Sequence, residues 1–284
     1  MSITRKDFLK ASGFTLAAGL VPFNAHQLLA GSPVSPVAAP TNGLEIGLAS
    51  YTLRKYKLDE VIEIAKRLNI TQLSLKDMHL PLNSTPAQIT EAIDKLKAAG
   101  MTAYGCGVVY MKNEDEVNRT FEYAKLAGFK MIIGVPNPEL LSLVEKKVKD
   151  TNIMVAIHNH GPGDKIYPSP DDVYAKIKNL DKRIGLCLDI GHTQRIGQDP
   201  AKMVTKYADR LYDMHFKDVT GNTSKDTPTE VGRGVIDIPG FLKALKKINY
   251  KGVVALEYEK DGDEPIAGTG ESIGYVRGIL KMMA

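Results

Sequence analysis

From Leu44 onward, the chain alternates between two hydrophobic patterns. Short runs of β-branched or apolar residues, typical of buried strands, are separated by longer segments in which apolar residues recur with a helical period. The runs that predict strands are Glu45 to Tyr51, Gln72 to Lys76, Thr102 to Val109, Lys130 to Val135, Ile153 to His158, Ile184 to Asp189, Leu211 to Phe216 and Gly252 to Glu257. The segments that predict helices are Leu58 to Leu68, Pro86 to Ala99, Glu114 to Ala127, Pro138 to Lys149, Pro170 to Asn179, Pro200 to Ala208, Ile238 to Ile248 and a last helix from Ser272. Eight such units in alternation predict one α/β domain, a (β/α)8 TIM barrel over residues 44–284.

Several predicted helices begin and end at residues suited to those positions. Pro86, Pro170 and Pro200 fall in first turns, where a missing N–H costs nothing, and Gly100 and Gly128 close two helices. A doubly wound open sheet is the structural alternative, but no G-x-G-x-x-G motif follows the first strand. The pattern therefore favours the closed barrel, whose functional side chains lie at the C-terminal ends of the strands.

The N-terminal residues 1–39 have the pattern of an export signal followed by a linker. Residues 4–10 read T-R-K-D-F-L-K, and the apolar run Ala11 to Phe23 after them is too short to span a membrane. The heptad is similar to a twin-arginine signal with Lys6 in place of the second arginine, so that route and the general secretory route both stay open. Cleavage is expected after Ala30 or Ala39. We therefore expect an exported, periplasmic protein without a stable membrane span.

The charges and cysteines narrow the class of protein. The net charge of +4 arises from 37 basic and 33 acidic residues, which are scattered along predicted helix faces. Because no concentrated basic stripe occurs, a nucleic-acid partner is not expected. Cys106 and Cys187 lie inside predicted strands, where a free buried thiol is the usual state. No pattern in the chain indicates an oligomeric state.

Histidines and carboxylates cluster at the predicted strand ends. Asp189 and Glu257 end strands, and His158 and His160 are two residues apart, so they share a face if the strand stays extended. The histidines that end or follow strands are His79, His158, His160, His192 and His215. Imidazole nitrogens and carboxylate oxygens together suit one divalent ion, with Mn²⁺ as first choice and Zn²⁺, Co²⁺ or Mg²⁺ as alternatives, better than Ca²⁺. The sequence therefore predicts a metal site at the barrel mouth.

Four motifs resemble those of the xylose isomerase-like TIM barrels, the sugar phosphate isomerase/epimerase superfamily. They are D-I-G-H at 189–192, M-H-F-K-D at 214–218, E-V-G-R-G-V-I-D at 230–237 and A-L-E-Y-E at 255–259. The resemblance implies a divalent metal bound by Asp189, His215 and Glu257, with His158 at the position of the family's fifth-strand ligand. It also implies that His192 and Arg233 contact the substrate.

One departure from the family pattern bears on the reaction. The family's epimerases end the fifth strand with a glutamate that is both ligand and base, whereas this chain has H-N-H at 158–160. Epimerisation with one carboxylate on each face of the substrate is therefore not expected. A divalent ion still stabilises the enediolate that forms when a proton leaves a carbon next to a carbonyl. Two outcomes stay open: isomerisation of an unphosphorylated sugar, and a lyase or hydratase reaction on 3-keto-glycosides or their elimination products.

The remaining polar groups at the strand ends are assigned as base or substrate-binding residues of the predicted metal site. Glu257 or His160 is the expected base. Lys76, His79 and Lys217 are expected to bind substrate oxygens. Tyr110, at the end of the third strand, either faces the sugar or caps the core.

Two further function classes are less favoured by the sequence. The superfamily also contains a metal-dependent endonuclease for abasic DNA, but Pro228 stands roughly where its extra histidine would be. A non-catalytic sugar-binding barrel would need aromatic platforms, and the chain has no Trp and only seven Phe. A small sugar remains the expected partner.

Overall fold

The computed structural model describes residues 43–283, and it shows a closed barrel of eight parallel strands. The predicted export signal and linker at 1–39 lie outside the described residues. Each strand pairs with its neighbours in chain order, and the first strand closes the barrel against the eighth. The strands are β1 Glu45–Ala49, β2 Gln72–Leu75, β3 Thr102–Met111, β4 Met131–Pro136, β5 Met154–His158, β6 Ile184–Asp189, β7 Leu211–Phe216 and β8 Val253–Leu256. The predicted TIM barrel is confirmed.

Helices surround the barrel and bury their apolar faces against the strands. They are α1 Leu58–Arg67, α2 Pro86–Ala98, α3 Glu114–Ala127, α4 Leu141–Thr151, α5 Pro170–Ile177, α6 Ile190–Arg195, α7 Pro200–Lys206, α8 Ile238–Lys247 and α9 Pro265–Met282. Short 3-10 helices occupy Ser50–Leu53 and Pro138–Leu140. An antiparallel ribbon of two short strands, Asp218–Val219 and Pro228–Thr229, follows β7. Within residues 43–283, we find no helix with the length and apolar character needed to cross a bilayer.

Two differences from the predicted helices have physical causes. The last helix begins at Pro265, not at Ser272, because Gly268 and Gly270 lower its helix propensity and hide its start. Gly268 is nonetheless required, since any side chain there would collide with the Tyr258 ring. Helix α6 was not predicted, because six residues are too few to show a helical period.

Polar side chains cap the starts of two helices. The Ser169 hydroxyl accepts from the Asp172 N–H at 3.1 Å and begins α5, and the Asp199 carboxylate accepts from the Ala201 N–H at 2.9 Å and begins α7. Each cap satisfies a backbone donor that has no partner within its helix. Cys106 and Cys187 are free and buried, as predicted.

The buried guanidinium of Arg210 holds together the chain between α5 and β7. It is 1% exposed, and its nitrogens donate to the carbonyls of Lys178 at 3.2 Å, Leu180 at 3.0 Å, Asp181 at 3.1 Å and Ile184 at 2.5 Å. These carbonyls come from the loop that leads into β6 and from the first residue of that strand. The Arg210 side chain therefore supports the segment that leads into β6, the strand that ends at Asp189.

Arg210→Met is expected to lower the free energy of unfolding by about 3 kcal/mol, because four carbonyls lose a charged donor and that of buried Ile184 is left without one. Urea titration followed by circular dichroism measures the loss. Lys182→Met is the matched control, since the Lys182 side chain is 78% exposed, and its change should stay within about 0.5 kcal/mol. Equal midpoints for both variants would contradict this role of Arg210.

Candidate metal centre at the barrel mouth

The four residues predicted as metal ligands meet at the C-terminal end of the barrel. His158 ends β5, and Asp189 ends β6 opposite His215 of β7. Glu257 directly follows β8, where its N–H donates to the carbonyl of Phe216 at 2.9 Å. One ligand atom from each of the four lies within 4.8 Å of the other three, and all four residues are buried. Strand register thus brings together side chains that are far apart in sequence.

Most of the possible ligand atoms of this cluster lack hydrogen-bond partners, whereas Oε2 of Glu257 accepts from Nζ of Lys217 at 2.6 Å. Both ring nitrogens of His158 and of His215, and Oδ2 of Asp189, have none among the described residues. Nδ1 of His215 lies 3.0 Å from Oε2 of Glu257, and Nε2 of His158 lies 3.4 Å from Oδ2 of Asp189. Neither contact has the alignment of a hydrogen bond. Ligands that bind one divalent ion at about 2.0 to 2.3 Å are themselves roughly 3 to 4.6 Å apart. The cluster therefore fits a divalent ion with two nitrogen and two oxygen donors.

The protonation states of three of the four residues suit metal binding. Burial disfavours the charged form of His215, but the negative charge of Glu257 outweighs it and raises the pKa of that ring, so His215 must release a proton when an ion binds. Burial lowers the pKa of His158 to about 4, so its imidazole is neutral near pH 7. Burial also disfavours the charged form of Glu257, but the positive charges of His215 and Lys217 outweigh it and hold the pKa of that carboxyl below its usual range. His192 and Lys217 do the same for the pKa of Asp189. Both carboxylates are therefore ionised.

Lys217, predicted to bind substrate, lies beside these residues, and its ammonium contacts three carboxylates. Its side chain is 3% exposed, and Nζ lies 2.9 Å from Oδ2 of Asp189, 2.6 Å from Oε2 of Glu257 and 2.5 Å from Oε2 of Glu259. The sequence reasoning did not identify Glu259 as part of the site. The available signal was the second glutamate of A-L-E-Y-E.

His192 and His160 extend the site toward solvent. Their ring centroids are 5.2 Å apart, and those of His158 and His160 are 5.4 Å apart. Burial lowers the pKa of His192 to about 4, and its backbone N–H donates to Oδ1 of Asp189 at 2.7 Å. Nδ1 of His160 lies 3.2 Å from the hydroxyl of Tyr110, and the His160 side chain is 44% exposed. Imidazoles thus connect the buried ligands to the open mouth.

Asn159, between the two histidines of H-N-H, was also missed. Its Oδ1 accepts from the N–H of Asp189 at 3.0 Å, and its Nδ2 donates to Oγ1 of Thr193 at 3.3 Å. These bonds tie the end of β5 to β6 and to α6. Asn159 therefore fixes the backbone of one candidate metal ligand relative to another.

Three residues predicted to bind substrate have other partners. The ring nitrogens of His79 lie 2.8 Å from Oγ of Ser50 and 3.1 Å from the carbonyl of Leu53. Lys76 donates to the carbonyl of Val108 at 2.7 Å and pairs with Asp77 at 3.0 Å. Arg233 forms a two-pronged pair with Glu271 at 2.5 and 2.8 Å. In the described part of the chain, none of the three contacts the four-ligand cluster.

The G-R-G loop of the third motif, at 232–234, encloses a carboxylate of the protein itself. Asp218 accepts backbone N–H groups from Gly232 at 3.0 Å, Gly234 at 3.0 Å and Ile236 at 3.2 Å. Gly232 has φ +94°, and a side chain at Gly234 would collide with the Asp218 carboxylate. The glycines of this motif therefore shape the loop after β7 around Asp218.

Two curated relatives illustrate the sequence similarity of this chain. It is 25% identical over 150 residues to the rhizopine catabolism protein MocC of Rhizobium meliloti, covering 48% of this chain and 46% of that protein. It is 28% identical over 193 residues to the inosose dehydratase of Histophilus somni strain 129Pt, covering 59% of this chain and 61% of that protein. The chain thus spans about half to three fifths of the length of these relatives.

Solved structures share the fold. The 3-keto-D-glucoside 4-epimerase YcjR of E. coli superposes with a TM-score of 0.67 at 16% identity, covering 83% of this chain and 99% of that one. An L-ribulose 3-epimerase superposes with a TM-score of 0.67 at 13% identity, covering 84% and 95%. At the level of the family, residues 36–279 match the xylose isomerase-like TIM barrel. The chain belongs to this family.

Proposed function

We propose that the protein is a divalent-metal-dependent enzyme of the sugar isomerase/epimerase type, which removes a proton next to the carbonyl of an unphosphorylated sugar. The observation that carries this proposal is the buried cluster of His158, Asp189, His215 and Glu257. Its ligand atoms converge, and among the described residues neither imidazole nor Oδ2 of Asp189 has a hydrogen-bond partner. Mn²⁺ is the first choice of ion, because a mixed imidazole and carboxylate set suits it. The family and its sugar-processing relatives agree with this class of substrate.

The chemistry divides between the ion and the side chains. A divalent ion at this site would act as a Lewis acid and stabilise negative charge on the carbonyl oxygen when the proton leaves. Glu257, ionised at the edge of the cluster, is the first candidate base. His160 is the second, because its Nδ1 faces Tyr110 and its Nε2 is left to exchange a proton with a substrate. Neutral His192 is placed to hold a substrate oxygen.

These residues support proton transfer on one face of the substrate. Epimerisation by two carboxylates requires a second glutamate opposite Glu257, and the end of β5 carries His158 in its place. His158 is buried in the cluster, and burial lowers its pKa to about 4, which suits a neutral ligand. Isomerisation needs only one base that returns the proton to the neighbouring carbon.

A lyase or hydratase reaction on 3-keto-glycosides, or on their elimination products, is the second candidate. Inosose dehydratases recur among the similar proteins, in Histophilus somni and Clostridium beijerinckii among others. By their name, these enzymes remove water from inosose. The first step would be the same proton abstraction next to a carbonyl, followed by loss of a group from the next carbon.

Incubation of the Mn²⁺-loaded protein with ketoses and with 3-keto-glycosides in D₂O, followed by NMR, distinguishes the candidates. Isomerisation is expected to place deuterium at the carbon that receives the proton and to yield the aldose. Elimination is expected to release the aglycone and to leave an unsaturated ketone or its hydrate. The Asp189→Asn variant serves as control for adventitious metal catalysis. Neither exchange nor release by metal-loaded protein across both substrate groups would contradict the proposal.

We further propose that the protein is exported, which explains why unphosphorylated sugars are the expected substrates. Mass spectrometry of protein from its native host should show a mature chain that lacks Met1 to about Ala39, because that segment has the pattern of a cleaved signal. Arg5→Lys keeps the charge and separates the routes: it should block twin-arginine export and leave general secretion intact. Recovery of intact Met1 in the cytoplasm would refute export and restore sugar phosphates as candidate substrates.

A further inference from the structure

The Lys217 ammonium contacts both carboxylates of the four-residue cluster. Nζ lies 2.9 Å from Oδ2 of Asp189 and 2.6 Å from Oε2 of Glu257. A divalent ion on the four-residue cluster would draw on these carboxylates, so the ammonium and the ion compete for them. Glu259, at 2.5 Å from Nζ, is the remaining carboxylate in contact with Lys217 and lies outside the cluster.

Charge balance gives Glu259 a specific role. Asp189, Glu257 and Glu259 carry three negative charges, which one ammonium and one divalent ion neutralise when the histidine ligands are neutral. Without the charge of Glu259, this buried group would have a net charge of +1. The ammonium would then depend on Asp189 and Glu257 alone, and its repulsion of the ion would increase.

The positions of both partners are fixed by the surrounding chain. Gly191, in D-I-G-H, leaves room for the Lys217 stem, because a Cβ there would lie 2.6 Å from Cγ of Lys217. The backbone carbonyl of Glu259 accepts from Nη2 of Arg54 at 3.2 Å, and the Arg54 guanidinium lies over the Tyr51 ring at 5.0 Å. Lys217 therefore has little freedom to move away from the ligands, and the backbone that carries Glu259 is held beside it.

We propose that Glu259 is a positioning residue that keeps the Lys217 ammonium from displacing the divalent ion at Asp189 and Glu257. It acts through Lys217 and needs no direct contact with the ion. This inference rests on the metal site of the proposed function and adds a residue that sets its affinity.

A double-mutant cycle with Mn²⁺ as the probe tests the inference. Calorimetric titration of the metal-stripped full barrel gives the dissociation constant, and circular dichroism verifies the fold of each variant. Glu259→Gln, which keeps the shape of the side chain and removes its charge, is expected to weaken Mn²⁺ binding by about 10-fold or more. Glu259→Asp keeps the charge and should bind within about 3-fold of wild type. Lys217→Met should bind at least as tightly as wild type, because the competing cation is gone.

The decisive comparison is Glu259→Gln in the Lys217→Met background. If Glu259 acts through Lys217, the second substitution should change affinity there by less than about 2-fold. A 10-fold loss in both backgrounds would show that Glu259 acts on the ion directly and would overturn the inference. Wild-type affinity in Glu259→Gln alone would overturn it as well. Failure of the wild-type protein to bind Mn²⁺ would instead refute the metal site itself.

Discussion

Asp189→Asn and His215→Ala are each expected to lose tightly bound divalent metal while the barrel stays folded. Both residues lie in the buried cluster, and each supplies a donor atom within 4.8 Å of the other ligand atoms. Asparagine removes the negative charge and alanine removes the imidazole, so affinity should fall by about 100-fold or more, beyond what loss of a supporting hydrogen bond causes. Metal analysis after dialysis, together with circular dichroism, measures both properties.

His79→Ala is the matched control for these variants. His79 also follows a barrel strand and is 6% exposed, but its ring nitrogens face Ser50 and the carbonyl of Leu53. Its loss should lower stability and leave the metal content unchanged. Undiminished metal in both Asp189→Asn and His215→Ala would refute the ligand set. Loss of metal in His79→Ala would show that metal loss does not distinguish the predicted ligands from other buried histidines near strand ends.

Much of the barrel could be predicted because strand periodicity and strand ends are local properties of sequence. The observed β6 Ile184–Asp189 and β7 Leu211–Phe216 agree at both ends with the predicted runs. In a closed parallel barrel, register places all strand ends at one rim. The convergence of His158 with Asp189 then follows from geometry that the sequence already implies.

The partners of long polar side chains could not be predicted in this way. Lys76 lies at the expected strand end and Arg233 in the expected loop. However, Lys76 forms an ion pair with Asp77, and Arg233 forms one with Glu271. Such pairs depend on the rotamers of flexible side chains and on helix packing, and neither leaves a periodic signal. The same holds for Glu259, whose role depends on a contact across 42 residues of sequence.

The structural roles of glycines were also difficult to predict from the sequence. The same residue type that hid the start of α9 has a packing role at Gly191, where the stem of Lys217 occupies the space of a side chain. Propensity describes the cost of a glycine in a helix, whereas its necessity arises from a neighbour that is distant in sequence. In this barrel, the absence of a side chain at Gly191 leaves the space that the stem of the buried Lys217 occupies.

Glu257→Gln is expected to lower kcat by about 100-fold or more, because glutamine keeps an oxygen ligand but cannot accept a proton. Glu257 is 6% exposed, and its Oε2 lies 2.6 Å from Lys217 and 3.0 Å from Nδ1 of His215. Substitution also removes a ligand charge, so exchange of the substrate C–H proton should be measured at saturating Mn²⁺ and divided by the bound metal.

Glu63→Gln, at a side chain 68% exposed on α1, controls for loss of one surface carboxylate. Proton exchange at the wild-type rate per bound ion would exclude Glu257 as the base. His160→Gln would then be the variant to test, since His160 lies at the open end of the imidazole group with its Nδ1 at Tyr110.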